Sequence, residues 1–305
     1  NLAEAAVKVE RQYVGSSLEA IMVFYAAARR YHPETYTSQV RLRMPFYLKM
    51  ALADRFPRSY VTSRLTGGRS LYYGPFRTRA VAQQFEERFL DLFQIRRCNK
   101  GLSPAPDYPG CIYGEMRMCL RPCQQAVSEE EYASEAQRAA QFLATGGRSL
   151  LDALAHTRER LSQEMHFEEA ARLHRQVAEV EQAVRLGDGL AADIDRLNGV
   201  AVTRSVEPRC VELWFLLQGR WLRPRRLQLE PPGARPVSLD RRLRELSCSL
   251  QVPEIPAAER QEHLALLVRW RCSSVCEGEW LPFDDLTDLP FRRLVRAISR
   301  AAAAQ

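Results

Sequence analysis

Four cysteines fall close together in this 305-residue chain, at Cys98, Cys111, Cys119 and Cys123. Their spacing, C-x12-C-x7-C-x3-C, is typical of thiolate ligands that gather around one metal ion or cluster. The first gap is rich in proline and glycine, which predicts a loop able to fold back, and the last gap suits about one turn of backbone. No histidine lies between these cysteines. The segment therefore predicts an all-sulfur metal site.

The spacing leaves the metal open, because thiolates suit both zinc and iron–sulfur clusters. Two other interpretations are weaker. Reduced core cysteines would lie on apolar faces of helices or strands, whereas these lie among proline, glycine, arginine and asparagine. A disulfide pair is disfavoured because the sequence shows no secretory leader pattern.

Composition indicates a protein with sizeable cores. The chain is 46% hydrophobic, and its length predicts about two or three domains. No apolar run approaches the roughly 20 residues that a membrane-spanning helix requires, so we expect a soluble, cytoplasmic protein. The first residue is asparagine rather than methionine, which leaves open that the chain is part of a longer protein.

Positive charge is concentrated around the cysteines. Residues 55–125 contain twelve basic and five acidic residues, whereas residues 128–184 contain six basic and eleven acidic residues. Arginines interleaved with Tyr72, Tyr73, Phe76 and Tyr113 predict contact with nucleic-acid phosphates and stacking on bases. The alternative is a solvated basic surface. The candidate DNA-binding residues are Arg69, Arg77, Arg79, Arg96, Arg97, Lys100 and Arg121.

Periodicity predicts an α+β multidomain protein. Helices are expected over 16–31, 79–93, 128–143, 238–250, 257–275 and 290–303, and strands over 42–52, 57–64, 198–206, 210–218 and 221–230. Ser128 and Glu131 form a capping-box pattern at the start of the third of these helices.

Residues 148–186 predict an antiparallel helical hairpin that turns near 165–167. On its second helix the apolar residues alternate spacings of three and four, as in a coiled-coil seam. These residues are Ala170, Leu173, Val177, Val180 and Val184. Because two helices cannot cover both sides of such a seam, we expect a partner, in this chain or another.

Several short motifs, taken in order, resemble one family. They are Arg55-Phe-Pro-Arg58, Tyr73-Gly-Pro-Phe76, the run Leu92 to Cys98, Cys119-Leu-Arg-Pro-Cys123 and Ser128-Glu-Glu-Glu-Tyr132. Together they resemble UvrC, the nuclease subunit of bacterial nucleotide excision repair, and the related Cho-like proteins. The stretch Phe167-Glu-Glu-Ala-Ala-Arg-Leu173 is similar to the UVR motif that follows in the same order. The resemblance covers about residues 7–185.

The resemblance implies a cofactor and partners. It implies a four-iron, four-sulfur cluster on the four cysteines, with zinc as the alternative, and no nucleotide. It also implies DNA as a partner, and a UvrB-like protein bound through the hairpin residues Phe167, Ala170, Leu173, Val177, Val180 and Val184. The implied domains are a truncated remnant of a GIY-YIG nuclease at 1–58, a basic cysteine-cluster domain at 59–147, the UVR hairpin at 148–186 and a small α+β domain at 190–305.

The chain also departs from the family. Phe24 stands where the GIY-YIG metal-binding glutamate is expected, and phenylalanine cannot ligate a hard cation. Thr37 stands near the expected asparagine, and residues 1–14 do not match the tyrosine and arginine part. The later RNase H-like nuclease needs inward carboxylates, but the strands at 198–230 carry only Glu207, Glu212 and Glu230. We therefore assign no catalytic residues.

Three hypotheses of function remain. The first is a UvrC-like, DNA-binding, iron–sulfur protein of nucleotide excision repair whose present residues do not cut DNA. The second is the C-terminal part of an active GIY-YIG structure-selective endonuclease. The third is a zinc-stabilised adaptor that recruits a partner through the hairpin.

Overall fold

The computed structural model describes residues 7–67, 69–99, 101–229 and 238–303. Within them the chain forms two compact units, each discontinuous in sequence. The first unit comprises residues 7–42, 198–229, 238–254 and 269–303, and the second comprises residues 43–67, 69–99, 101–197 and 255–268. The coarse α+β prediction is confirmed, because these residues form both α-helices and two antiparallel sheets.

Ten α-helices follow one another along the described chain: α1 (Ser17–Tyr31), α2 (Tyr36–Gln39), α3 (Arg79–Leu92), α4 (Ile112–Glu115), α5 (Glu129–Ala144), α6 (Arg148–Gln163), α7 (Phe167–Arg185), α8 (Leu239–Cys248), α9 (Ala257–Arg271) and α10 (Phe291–Ala303). The strands are β1 (Phe46–Ala51), β2 (Ser59–Thr62), β3 (Ser70–Phe76), β4 (Ala192–Asp193), β5 (Asn198–Arg204), β6 (Cys210–Leu217), β7 (Arg220–Trp221), β8 (Arg225–Gln228) and β9 (Glu279–Phe283). No helix of the described residues is long and apolar enough to cross a lipid bilayer.

The second unit is built on a sheet of order β2-β1-β3-β4. Leu48 in the middle of β1 lies opposite Val61 of β2 and Tyr73 of β3. Helix α3 covers this sheet because its apolar residues recur at intervals of four and form one face. The Phe85 ring stacks on the Tyr73 ring with centroids 4.8 Å apart, which fixes the helix on the strand.

Helix α5 closes the same core. Its N-terminus carries both halves of the predicted capping box, since the Ser128 hydroxyl accepts from the Glu131 amide and the Glu131 carboxylate accepts from the Ser128 amide. Phe142 near its C-terminal end contacts Phe89 and Phe93 of the preceding segment. These contacts fix the position of the segment that leads from α3 to Cys98.

The first unit contains a sheet of order β7-β6-β5-β9. Strand β8 also pairs with β6, on the edge opposite β5. Every residue of β6 is buried, so both faces of this strand are covered. Helices α8 and α10 pack on one face around Leu243, Leu294 and Ile298. Gly199 of β5 must remain glycine, because an added Cβ would come within 2.2 Å of the Trp280 ring.

Most of the predicted elements appear in the structure, and three strands were missed. The seven residues of β3 were interpreted as a surface stretch, although all but the first are buried. Strand β9 pairs with β5 about 80 residues earlier in the chain, a contact that no local pattern reveals. The short β4 pairs with Tyr73 and Gly74 of β3 and is invisible for the same reason.

The predicted division into segments 1–58, 59–147, 148–186 and 190–305 stays a prediction. Strands β1 and β2, which pair along their length, lie on either side of its first boundary. The two compact units are therefore the structural frame for the sites that follow.

Candidate cysteine metal centre and basic surface

The four cysteines lie in irregular chain between α3 and α5. Cys98 follows the end of α3, Cys111 occupies the N-cap position of the short helix α4, and Cys123 lies in a 3-10 turn over Pro122–Gln124. Cys119 is buried, Cys98 and Cys123 are half-buried, and Cys111 is exposed. Proline and glycine between Cys98 and Cys111 prevent regular structure there, so the loop can return to the later cysteines.

All four cysteines line a single pocket, together with Arg96, Arg97, Leu102, Tyr113, Arg121, Pro122 and Gln124. The Arg97 guanidinium lies 5.8 Å from the centre of the Tyr113 ring. The loop therefore gathers thiols from 26 residues of sequence into one place and surrounds them with positive charge.

The four thiols lie close enough to influence the pKa of Cys119 and Cys123. Burial raises the pKa of Cys119 to about 11, the Arg121 amide 3.4 Å from its sulfur opposes that rise, and the three neighbouring thiols add to it. The pKa of Cys123 is raised first by burial and then by Cys111 and Cys98. Without a counter-charge, the raised pKa values of Cys119 and Cys123 favour their protonated thiols.

Backbone contacts hold the loop in this shape. Leu120 donates its amide to the Gln94 carbonyl and Ala105 donates to the Cys123 carbonyl, each at 3.0 Å. Arg117, Arg121 and Gln125 adopt the left-handed region with φ of 56°, 55° and 50°. For non-glycine residues this conformation costs on the order of 1–3 kcal/mol each. The surrounding contacts must therefore offset a strained backbone on both sides of Cys119.

The four cysteine thiols imply a bound metal ion or cluster, and the residues present can be compared with what such a group requires. Four thiols on one pocket, with an N–H directed at the Cys119 sulfur, match the chemistry of a cysteine-ligated group. However, no group of three or more His, Cys, Asp and Glu side chains in the described ranges is arranged to hold one metal ion. The donor chemistry alone suits zinc and an iron–sulfur cluster equally.

Two of the predicted DNA-binding arginines turn toward the protein. Arg96 is only 8% exposed; its Nε donates to the Phe56 carbonyl at 2.9 Å, and its amide donates to the Tyr132 hydroxyl at 2.9 Å. Arg97 is half-buried and donates to the Leu90 carbonyl and to Asp91. Both arginines therefore hold the approach to Cys98, and Arg96 has little surface to offer a phosphate.

The other candidates are exposed but do not form one group. Arg69 and Arg77 lie at opposite ends of β3, roughly 25 Å apart along the strand. Arg77 and Arg79 flank Thr78, the N-cap of α3, and Arg121 lies at the cysteine pocket. Lys100 lies outside the described residues.

The prediction that aromatic residues of the basic segment stack on bases was wrong for three of the four. Tyr72, Tyr73 and Phe76 are buried in the second unit, with Tyr73 and Phe76 contacting Phe85. Their strand lies between β1 and β4 and beneath α3, so their apolar area is used in the core. Tyr113, at the cysteine pocket, remains partly exposed.

The predicted hairpin is present as two helices, α6 and α7, joined by residues 164–166. Its seam is buried unevenly. Val180 belongs to the core of the second unit and Ala170 is buried, while Leu173, Val177 and Val184 are half-buried. At the tip, Met165 and Phe167 are 76% and 65% exposed. His166, the N-cap residue of α7, makes no capping hydrogen bond with its side chain.

The positions compared with nuclease centres have other uses in this structure. Phe24 is 47% exposed on α1, and the Glu19 carboxylate on the same helix accepts from the Gly15 amide at 2.7 Å. In the first unit's sheet, the buried Glu212 accepts from Ser205 and Arg226, and Glu207 pairs with Arg226. Glu230 lies outside the described residues.

Sequence reasoning missed Tyr132 as a residue of the site. Its hydroxyl donates to the Pro57 carbonyl at 2.8 Å while it accepts the Arg96 amide, so it ties two distant segments to the start of the cysteine loop. The only signal was its place in the Ser128–Tyr132 motif. Cys210, Cys248, Cys272 and Cys276 do not line the four-cysteine pocket.

Comparison with known proteins finds a family domain that contains the cysteine loop. Residues 46–142, which include all four cysteines, match the model of the UvrC/Cho excinuclease middle domain. No solved structure matches the chain.

Curated relatives point the same way. The chain is 23% identical over 206 residues to UvrABC system protein C of Thermoanaerobacter sp. (strain X514), an alignment that covers 67% of this chain and 34% of that protein. It is 26% identical over 226 residues to UvrABC system protein C of Alcanivorax borkumensis, covering 74% of this chain and 37% of that protein. The chain thus spans about a third of the length of these relatives. These matches support the assignment of this chain to the UvrC/Cho-like family, whose middle-domain model residues 46–142 match.

Proposed function

We propose that this chain is a DNA-binding iron–sulfur protein that acts in nucleotide excision repair. The observation that carries the proposal is the pocket lined by Cys98, Cys111, Cys119 and Cys123 inside the segment that matches the UvrC/Cho middle domain. The relatives are UvrABC system protein C of other organisms, which supports the repair setting.

An iron–sulfur cluster is proposed ahead of zinc because the cysteine motifs resemble those of UvrC-like proteins, and that resemblance assigns the matching cysteines to a four-iron, four-sulfur cluster. In such a cluster each of the four cysteines would bind a different iron. When bound, the cluster would cross-link the loop through iron–sulfur bonds, with Cys119 as the buried ligand and the Arg121 amide directed at its sulfur.

We propose that DNA phosphates contact the exposed arginines of the second unit. Arg77 and Arg79 stand on both sides of the α3 N-terminus, where free backbone amides and the helix dipole also favour an anion. Arg117 and Arg121 are exposed on the strained part of the cysteine loop. Arg96 is left out of this surface because its guanidinium is bonded to the protein interior.

Replacing Arg77 and Arg79 with glutamine should weaken DNA binding and its dependence on salt. Each lost phosphate contact removes about 0.9 from the slope of log affinity against log salt, so the double variant should lower the slope by about two. Fluorescence anisotropy with a labelled duplex over a salt series measures it. The matched control is Arg185→Gln with Arg241→Gln, because both arginines are already ion-paired on their own helices, to Glu181 and Glu245. Equal slopes for the unaltered protein, the double variant and the control would mean that DNA does not contact Arg77 and Arg79.

We also propose that the described residues contain no GIY-YIG metal centre, since Phe24 supplies no oxygen ligand. With magnesium or manganese, this chain should leave a damaged duplex uncut, alone or with a UvrB-like partner. A denaturing gel of end-labelled duplex reads the result. Metal-dependent incision by the purified chain would instead support the alternative, part of an active structure-selective endonuclease.

A UvrB-like protein is proposed to bind the hairpin. Val180 at the base of the hairpin packs into this chain's own core, whereas Met165 and Phe167 at the tip are mostly exposed. Large exposed apolar side chains at a helical turn are typical of a contact with another protein. The partner would therefore cover the tip half of the hairpin, around the exposed Met165 and Phe167 and the half-buried Leu173.

A further inference from the structure

Helix α10 in the first unit has two sharply different faces. Leu294, Ala297 and Ile298 are almost fully buried against the sheet and α8. The opposite side carries four exposed arginines, Arg292, Arg293, Arg296 and Arg300. Residues 291–303 contain no acidic residue, so the helix presents positive charge alone.

Three of these arginines are not neutralised by the part of the chain that the structure describes. Arg300 pairs with Glu279, but Arg292, Arg293 and Arg296 form no ion pair with any described residue. The nearest acidic residues in sequence precede the helix, and the Asp285 carboxylate there accepts from the amide and hydroxyl of Thr287.

The neighbouring helix α8 provides a contrast. Two of its three arginines are paired within the helix, Arg241 with Glu245 at 2.9 Å and Arg244 with Asp240 at 3.0 Å, which leaves Arg242 against the three on α10. Such i,i+4 pairs cancel most of the charge that a distant anion would meet. Unneutralised charge on these two helices is therefore concentrated on α10.

The spacing of the α10 arginines suits a polyanion. Arg292 and Arg296 are one helical turn apart, about 6 Å along the axis, with Arg293 beside them. Duplex DNA carries one charge per about 1.7 Å of its axis, so several phosphates lie within reach of such a stripe. Arginine also offers a planar fork of donors that matches phosphate oxygens.

A membrane surface fits this helix less well. Amphipathic helices bind bilayers by burying their apolar face among the lipids. In α10 that face is already used by the protein core, since Leu294 and Ile298 are fully buried. Only the charged face is available to a partner.

We infer that Arg292, Arg293 and Arg296 form a second nucleic-acid contact, made to the phosphate backbone and independent of base sequence. The inference rests on the proposed function, because the partner is the same nucleic acid. It goes further in placing a contact in the first unit, outside the segment that matches the middle domain.

The test uses a double variant that carries both Arg292→Gln and Arg296→Gln. Its control is a second double variant, Arg185→Gln and Arg241→Gln, which replaces two ion-paired arginines. Both variants lose two positive charges, so general electrostatics affects them equally. With a labelled duplex, the α10 variant should lower the salt slope by about two, while the control should change it by less than about half a unit. Similar thermal melts by circular dichroism would show that both variants are folded.

Other outcomes would overturn the inference. Equal changes of the salt slope in both variants would mean that the effect comes from net charge alone. An unchanged slope in both variants would mean that α10 does not contact DNA. Loss of binding to phosphatidylserine vesicles, with the DNA slope unchanged, would assign the stripe to membranes. If the unaltered chain binds DNA and only the Arg77 and Arg79 variant is affected, the proposed function stands and this inference fails. If the unaltered chain does not bind DNA at low salt, the proposed DNA-binding function fails as well.

Discussion

Protein purified without oxygen should be brown and carry about four irons per chain, and Cys119→Ser should remove both the colour and the iron. Cys119 is the most buried of the four thiols and the one whose sulfur receives the Arg121 amide. A serine oxygen is a poor ligand for iron of this kind. Iron and sulfide analysis together with visible absorbance gives the measurement.

The same variant should loosen the loop around the pocket. Residues 98–123 have little apolar content, and loops of this kind depend on bound metal for their fold. Faster amide hydrogen exchange there, with α3 and α5 unchanged, is the expected result. Cys248→Ser is the matched control, because Cys248 is an exposed cysteine of the other unit. Stoichiometric zinc in anaerobic protein would favour the adaptor hypothesis, and a colourless, metal-free protein with an ordered loop would contradict the iron–sulfur proposal.

Leu173→Asp should abolish co-purification with a UvrB-like protein, a loss of at least about 100-fold in affinity. The partner would have to bury an unpaired carboxylate, which costs several kcal/mol unless it is neutralised. The altered chain itself should remain folded, since Leu173 is only half-buried. Size-exclusion chromatography with the partner, or calorimetry, reads the affinity.

Gln182→Asp provides the control for this change. Gln182 is exposed on the same helix, about half a turn around from Leu173 in projection, and its substitution alters the charge equally. Binding that survives Leu173→Asp would mean that the seam is filled within this chain. Binding lost in both variants would show a response to charge rather than to burial.

Local patterns in the sequence were sufficient where structure depends on near neighbours. The capping box at Ser128 and Glu131 is formed as predicted, because its partners are three residues apart. The helix predicted over 79–93 is present as α3 for the same reason, since helical periodicity is local, and its regularly spaced Phe85 and Phe89 are buried.

The prediction was weakest where burial depends on distant partners. Arg96 looked like a surface cation, but the Phe56 carbonyl and the Tyr132 hydroxyl that hold it lie 40 and 36 residues away. Tyr73 looked like a stacking surface for bases, but the Phe85 ring occupies its face. Composition predicted the basic character of the region, whereas only the fold decides which cations face solvent.

The residues of the cysteine loop with left-handed backbone conformations allow the shape of the loop and its charge to be altered separately. Arg117 and Arg121 both combine an exposed side chain with a backbone conformation that glycine adopts freely. Replacement by glycine would therefore delete a cation without opposing the turn, whereas a β-branched residue would oppose the turn as well. Few surface loops offer both kinds of change at the same positions, and here those positions lie on either side of the buried thiol.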